Sequence, residues 1–260
     1  MQQSRTTGRD MTAQDAASVL DRVRTRGPRV HCITNAVAQN FTANALLAIG
    51  AVPSMTLAAE EIGAFVTRAQ ALLVNLGTFD RERLEATAIA VQSAAAHNVP
   101  WVLDPVFVDR SEQRAAFARD LIGQGPRALR LNRAEFATLS GNEPDRFAIA
   151  AYARGHQLVV GLSGATDLVA DGERFASVGN GHPLMAKVTA MGCAASALVA
   201  ACLGVEEDAF CATASALTIV GVAGEIAAET AKGPGSFAVA ILDALHNLDG
   251  PTLMSYAKVN

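Results

Sequence analysis

Short apolar runs, each closed by a polar residue or glycine and followed by a helix-patterned stretch, recur along this chain and constrain its fold more than any other feature. Residues 71–76 end at Gly77 and Thr78, residues 101–103 at Asp104 and Pro105, and residues 158–162 at Ser163 and Gly164. Such runs read as strands buried on both faces. Helical patterns fill the gaps over 80–97, 112–122 and 144–155. Strand-helix alternation of this kind specifies an α/β fold with a mostly parallel sheet covered on both sides. Asp171-Gly172, between 168–170 and 174–178, predicts a β-hairpin that adds antiparallel strands at one edge. After Thr189 the pattern changes to three alanine-rich helical stretches, about 193–203, 206–232 and 236–248, with Ser236 as a candidate N-cap of the last. Small residues allow close helix approach, so these form a helical layer over the sheet.

With 260 residues, half of them hydrophobic and 18% charged, the chain has ample material for a core. No linker or repeat divides it, so residues 12–260 are expected to be one domain behind a disordered polar leader, 1–11, that lacks the apolar core of a signal peptide. The net charge of -4 supplies no general attraction for nucleic acid or anionic membranes, and neither is expected as a partner. An anionic ligand would have to be gripped locally, largely by backbone. Cys32, Cys193, Cys202 and Cys211 show no metal or disulfide spacing and suggest reduced thiols in the cytoplasm. The uncharged stretch 188–204 is too short to cross a bilayer.

Several common motifs are missing, among them the phosphate-binding Gly-x-x-x-x-Gly-Lys loop and the Gly-x-Ser-x-Gly elbow. What remains is Val188-Thr189-Ala190-Met191-Gly192-Cys193, which leads directly into the uncharged helix. A helix start offers unpaired backbone N–H groups and a partial positive charge, so Met191, Gly192 and Cys193 are candidates for an anion hole. In a first turn the Cys193 thiol is expected to ionise more easily, although a small buried side chain among alanines reads the same way. Asn132 and Glu135 either orient a metal-bound phosphate or form a capping box. Asp104 is a candidate functional carboxylate or a turn residue. His31, Asn35 and Asn44 flank the first strand and helix, where a lone histidine is more often structural than catalytic.

Val30-His31-Cys32-Ile33-Thr34-Asn35, Phe41-Thr42-Ala43-Asn44, residues 46–51 with Met55, and Leu76-Gly77-Thr78 are joined in order by further matches. These are Leu103-Asp104-Pro105-Val106, Arg130 with Asn132 and Glu135, Val188-Thr189 with Gly192-Cys193, and residues 233–237. Together they closely resemble the hydroxyethylthiazole kinases of the ribokinase-like superfamily. The resemblance implies a three-layer sandwich and ATP- and Mg²⁺-dependent phosphorylation of the hydroxyl of 4-methyl-5-(2-hydroxyethyl)thiazole in thiamine salvage. It also implies a homotrimer with the thiazole pocket between subunits. By position, Cys193 serves the reacting hydroxyl; Met55, Ala190 and Asn35 bind substrate; Arg130 and Ser163 hold ATP; and Asp104 and Glu135 serve the magnesium. Cys193 stands where other ribokinase-like enzymes carry aspartate, which argues against a hydroxymethylpyrimidine kinase. A thiazole- or nucleotide-binding sensor is the remaining alternative. Ala190 and Leu131 replace glycines of the family pattern, Phe107-Val108-Asp109-Arg110 replaces a glycine-rich turn, and the stretch 141–156 is short. Ala190 is expected at negative φ, in a loop repacked around Met191.

Overall fold

Alternation within the apolar runs decides the layering. In the strand Ala71–Asn75 all five residues are buried, Ala71 and Leu73 in one hydrophobic cluster and Leu72 and Val74 in another. Both faces of the sheet are therefore covered. The computed structural model describes residues 10–260. Its strands are β1 (Arg29–Ile33), β2 (Val52–Ser54), β3 (Ala71–Asn75), β4 (Trp101–Asp104), β5 (Ala128–Asn132), β6 (Val159–Ser163), β7 (Asp167–Ala170) and β8 (Phe175–Val178). They form one sheet in the order β2-β1-β3-β4-β5-β6-β7-β8. The first six run parallel, while β7 and β8 are antiparallel. The Asp171-Gly172 hairpin is present, with Gly172 at φ +95 and the Asp171 carboxylate accepting the N–H groups of Glu173 and Arg174.

Helices α1 (Ala13–Arg26) and α2 (Gln39–Ala48) contribute to the first cluster, and α3 (Ala59–Thr67), α4 (Arg81–His97), α5 (Glu112–Ile122), α6 (Arg133–Ser140) and α7 (Arg146–His156) to the second. The C-terminal helices α8 (Met191–Leu203), α9 (Ala209–Thr230), α10 (Pro234–Asn247) and α11 (Gly250–Tyr256) complete the first layer. The result is a three-layer sandwich. Among the described residues α9 is the one helix long and apolar enough to span a membrane, and here it is packed inside the first layer.

Local chemistry shifts some expected boundaries. Helix α9 begins at Ala209, three residues later than expected, because the Asp208 carboxylate caps Phe210 and Cys211. Helix α10 begins at Pro234, and Ser236 is inside it, accepting the Lys232 N–H at 2.9 Å instead of capping. Helix α11 was not evident in the sequence pattern. Residues 1–9 of the expected leader lie outside the described residues, but Met11 is buried in the core and Thr12 forms a capping box with Asp15, so order begins before the expected boundary. At the far edge, Ser177 and Asn260 exchange backbone hydrogen bonds, and the Gly179 N–H reaches Lys258. The end of the chain thus lies along β8.

Candidate active site

The chain leaves β1 towards β2 on one side and returns to β3 on the other, which opens a crevice at the carboxyl ends of β1 and β3 where α/β sheets bind ligands. Asn35 follows β1 and Asn75 ends β3. The Asn35 amide donates to Asn75 Oδ1 at 3.2 Å and to the Cys193 Sγ at 3.2 Å, while its Oδ1 accepts the Ala38 N–H at 2.9 Å. Asn75 in turn donates to Asp104 Oδ2 at 2.7 Å, and Ser196 on α8 donates to the same oxygen at 2.8 Å. Cys193, Asn35, Asn75, Asp104 and Ser196 therefore form a connected network that starts and ends on α8. Glycine is required at position 77, since a Cβ there would lie 2.6 Å from the Asn35 amide nitrogen.

Helix α8 begins at Met191, so the N–H groups of Met191, Gly192 and Cys193 are its first three and have no intrahelical partners. Ala190 is the N-cap at φ +70 and ψ 0. This corrects the expectation of negative φ: turning the chain from Thr189 into the helix needs a left-handed residue, and the alanine methyl makes that conformation strained. Arg130, on β5, lies against the helix start, where a Cβ on Gly192 would come within 2.8 Å of its Nη1. Leu131 directs its side chain into the core, so its bulk does not face the site. Ser163 ends β6 opposite Asn132.

Arg130, Ser163, Met191 and Gly192 line a cavity of about 580 Å³ together with Asp167, Met185, Leu217 and Val220. Two polar atoms here, Arg130 Nε and Ser163 Oγ, are buried without a hydrogen-bond partner. Buried donors without partners are costly, and an anionic ligand in this cavity would satisfy them.

Glu135 is buried with both oxygens engaged: Oε2 accepts the Asn132 N–H at 2.8 Å in a capping box, and Oε1 accepts the Phe107 N–H at 3.1 Å. Phe107 itself sits at φ +63, in the turn that departs from a glycine-rich pattern, with the Arg110 guanidinium 4.8 Å above its ring. Burial raises the Asp104 pKa, opposed by the Arg130 charge. Burial also raises that of Glu135, with the negative charge of Asp104 adding to the rise. Two buried carboxylates, one of which disfavours the charge of the other, suit a divalent cation. Among the described residues no cluster of three or more His, Cys, Asp or Glu forms a closed metal cage. Two carboxylates do fit magnesium, which keeps water and phosphate oxygens in its shell.

Burial, followed by the Asp104 charge, pushes the Cys193 thiol up to about 11. The expected fall is thus overturned: the helix start is outweighed by desolvation and a nearby carboxylate. The structure brings Cys193, Asn35, Ala190, Met191, Gly192, Arg130, Ser163, Asp104 and Glu135 to the carboxyl ends of the central strands. Met55 stands apart, half-buried just beyond the edge strand β2 and outside that cavity. Asn75 and Ser196 were missed. Asn75 had a signal, as the polar end of an otherwise apolar strand; Ser196 had only its spacing from Cys193.

This three-layer sandwich, with the start of α8 turned towards the Asp104 carboxylate, has the ribokinase-like fold. In fold it resembles a ribokinase-like superfamily protein from Enterococcus faecalis, with a TM-score of 0.65 at 14% identity, covering 88% of this chain and 90% of that one. The Hydroxyethylthiazole kinase family profile matches residues 20–250, and the chain belongs to that family. A probable hydroxyethylthiazole kinase from Agrobacterium fabrum is 47% identical over 95% of this chain and 96% of its own. The solved hydroxyethylthiazole kinase from Pyrococcus horikoshii superposes with a TM-score of 0.91 at 38% identity, covering 94% of this chain and 98% of that one.

Proposed function

We propose that the chain transfers the terminal phosphoryl group of ATP to the hydroxyl of 4-methyl-5-(2-hydroxyethyl)thiazole, the thiamine-salvage reaction of its family. The carrying observation is the pair of unpartnered buried atoms, Arg130 Nε and Ser163 Oγ, in a cavity that opens on the start of α8. Arg130 and Ser163 hold ATP phosphate oxygens there. The Met191, Gly192 and Cys193 N–H groups stabilise charge on the transferring group without having to reorganise. Asp104 and Glu135 would hold magnesium, which when bound neutralises phosphate charge.

Cys193 Sγ, fixed by the Asn35 amide, meets the substrate hydroxyl. With its pKa near 11 the thiol is protonated at neutral pH. Its role is to orient the hydroxyl; the hydroxyl proton passes late, after oxygen has begun to bond to phosphorus, to an oxygen of the transferred phosphoryl group, as a loose transition state allows. Ala190 borders the substrate beside Cys193, and Met55 contacts the thiazole ring.

Met55 follows β2, and among the segments that flank that strand in sequence Val37, Leu47, Val52 and Phe65 are exposed at 72%, 56%, 50% and 40%. These apolar residues support a subunit interface there and the homotrimer that the family resemblance implies. Light scattering should then report about three times 27.0 kDa. One sheet running through the chain supports reading 12–260 as a single catalytic unit, and four free thiols support a cytoplasmic setting.

The direct test is ADP formation from Mg·ATP with a panel of small alcohols. Turnover should require the thiazole alcohol. Preference for a hydroxymethylpyrimidine would assign another member of the fold, and tight thiazole binding without turnover would make the protein a sensor.

A further inference from the structure

His31 is fully buried in β1, and both of its ring nitrogens are engaged. Nδ1 lies 2.8 Å from Ser54 Oγ and Nε2 lies 3.2 Å from the Thr56 carbonyl oxygen. A carbonyl only accepts, so Nε2 carries the proton and Nδ1 accepts from the Ser54 hydroxyl. One neutral tautomer satisfies both bonds. Burial keeps the ring in that neutral form, pushing its pKa down to about 4.

The two partners are the residues immediately before and after Met55. The parallel ladder between β1 and β2 runs from Arg29 opposite Val52 to His31 opposite Ser54, and ends there. Met55 is therefore the first residue beyond the sheet, where backbone pairing no longer holds it. The imidazole extends the hold of β1 past the end of the ladder, to Thr56. On the other side Thr56 is tied to α3: its hydroxyl donates to Glu61 and accepts the Ala58 N–H at 3.3 Å. The Phe65 ring, 5.9 Å from the imidazole, packs from the same helix. His31 does not line the cavity at α8.

We propose that His31 is a positioning residue that brackets Met55 and so sets how tightly the thiazole alcohol is held. This rests on reading Met55 as a thiazole contact. A general core histidine would, if altered, weaken the whole protein; a bracket on Met55 affects one substrate. The test uses three variants of the full chain, His31→Asn, Ser54→Ala and Met55→Ala, with calorimetric binding of the thiazole alcohol, KM for each substrate, and melting temperature. Ser54→Ala removes only the bond at Nδ1 and keeps the imidazole, so it decides the matter if His31→Asn does not fold.

The expected result is a rise in KM and Kd for the thiazole alcohol of about tenfold in His31→Asn and roughly threefold in Ser54→Ala, with KM for ATP and saturated turnover within about twofold of the parent, the pattern of lost uniform binding of one substrate. If Met55→Ala weakens thiazole binding while Ser54→Ala binds as the parent does, the bracket is wrong and the Met55 contact stands. If Met55→Ala also binds normally, the Met55 contact itself falls, and the inference with it. Parallel losses for ATP and thiazole would reduce His31 to packing.

Discussion

At the carboxylate end of the site, Cys193, Asn35, Asn75, Asp104 and Ser196 hold one another through bonds of 2.7 to 3.2 Å. At the cavity end, Arg130 Nε and Ser163 Oγ lie buried with nothing to bond. The first group has its geometry before any ligand arrives, because each member's position is fixed by the next. The second is incomplete by itself and becomes satisfied only with a ligand rich in acceptor oxygens. On the proposed reading the preset end aligns the reacting hydroxyl and the incomplete end takes up the nucleotide phosphates.

The sharpest way to break the preset end is Asp104→Asn, which keeps the side chain's size and removes its charge. Turnover is expected to fall about 10³-fold or more, since several kcal/mol of charge stabilisation through the bound cation is lost. Steady-state kinetics across a magnesium titration measures it. A variant that saturates with magnesium like the parent and keeps its rate would remove Asp104 from that role.

Cys193→Ala is expected to lower turnover by roughly 10²-fold, with little change in melting temperature. Its pH dependence sharpens the point. A thiol raised in the fold stabilises the protein below its unfolded pKa and loses that contribution as pH rises through the folded value. Stability should therefore fall between the ordinary thiol value of 9.0 and about 11, and Cys193→Ala should lessen the fall. Denaturant unfolding at several alkaline pH values shows this. An activity profile carrying a thiol ionisation near neutrality would instead make Cys193 a thiolate base.

For the incomplete end, Arg130→Ala should raise KM for ATP about 10- to 100-fold, the range for hydrogen bonds to charged groups, while leaving KM for the thiazole alcohol unchanged. Equal losses for both substrates would contradict the division between the two ends. The smallest expected effect lies at the turn between them. Ala190→Gly removes the left-handed strain and should stabilise the fold by about 1 kcal/mol, read as a higher melting temperature. A lower one would show that the loop holds alanine without strain.

The layering was legible because residues 71–76, 101–103 and 158–162 are too apolar to sit anywhere but between two helical layers. A helix start near Cys193 was legible from a glycine-containing turn entering an uncharged stretch, although the helix begins two residues earlier, at Met191, and takes Gly192 into its first turn. What could not be read was anything set by neighbours distant in sequence. The Cys193 thiol moves up chiefly because the surrounding chain excludes water and then because Asp104, 89 positions earlier, lies near it. Ala190 takes positive φ because the helix axis demands it, and residue type alone argued the other way. Asn75 joins the site only once β3 lies between β1 and β4.

The two edges of the sheet are not alike. Along β8 the chain's own last residues occupy the hydrogen-bonding positions at Ser177 and Gly179, while β2, three residues long, has a neighbour on one side only among the described residues. A sheet with both edges open can add copies end to end without limit. Here the β8 edge is already paired by residues 258–260, so strand addition from that side is blocked. Removing residues 257–260 would leave unpaired backbone groups along both edge strands, β2 and β8, and with them a second template for strand addition.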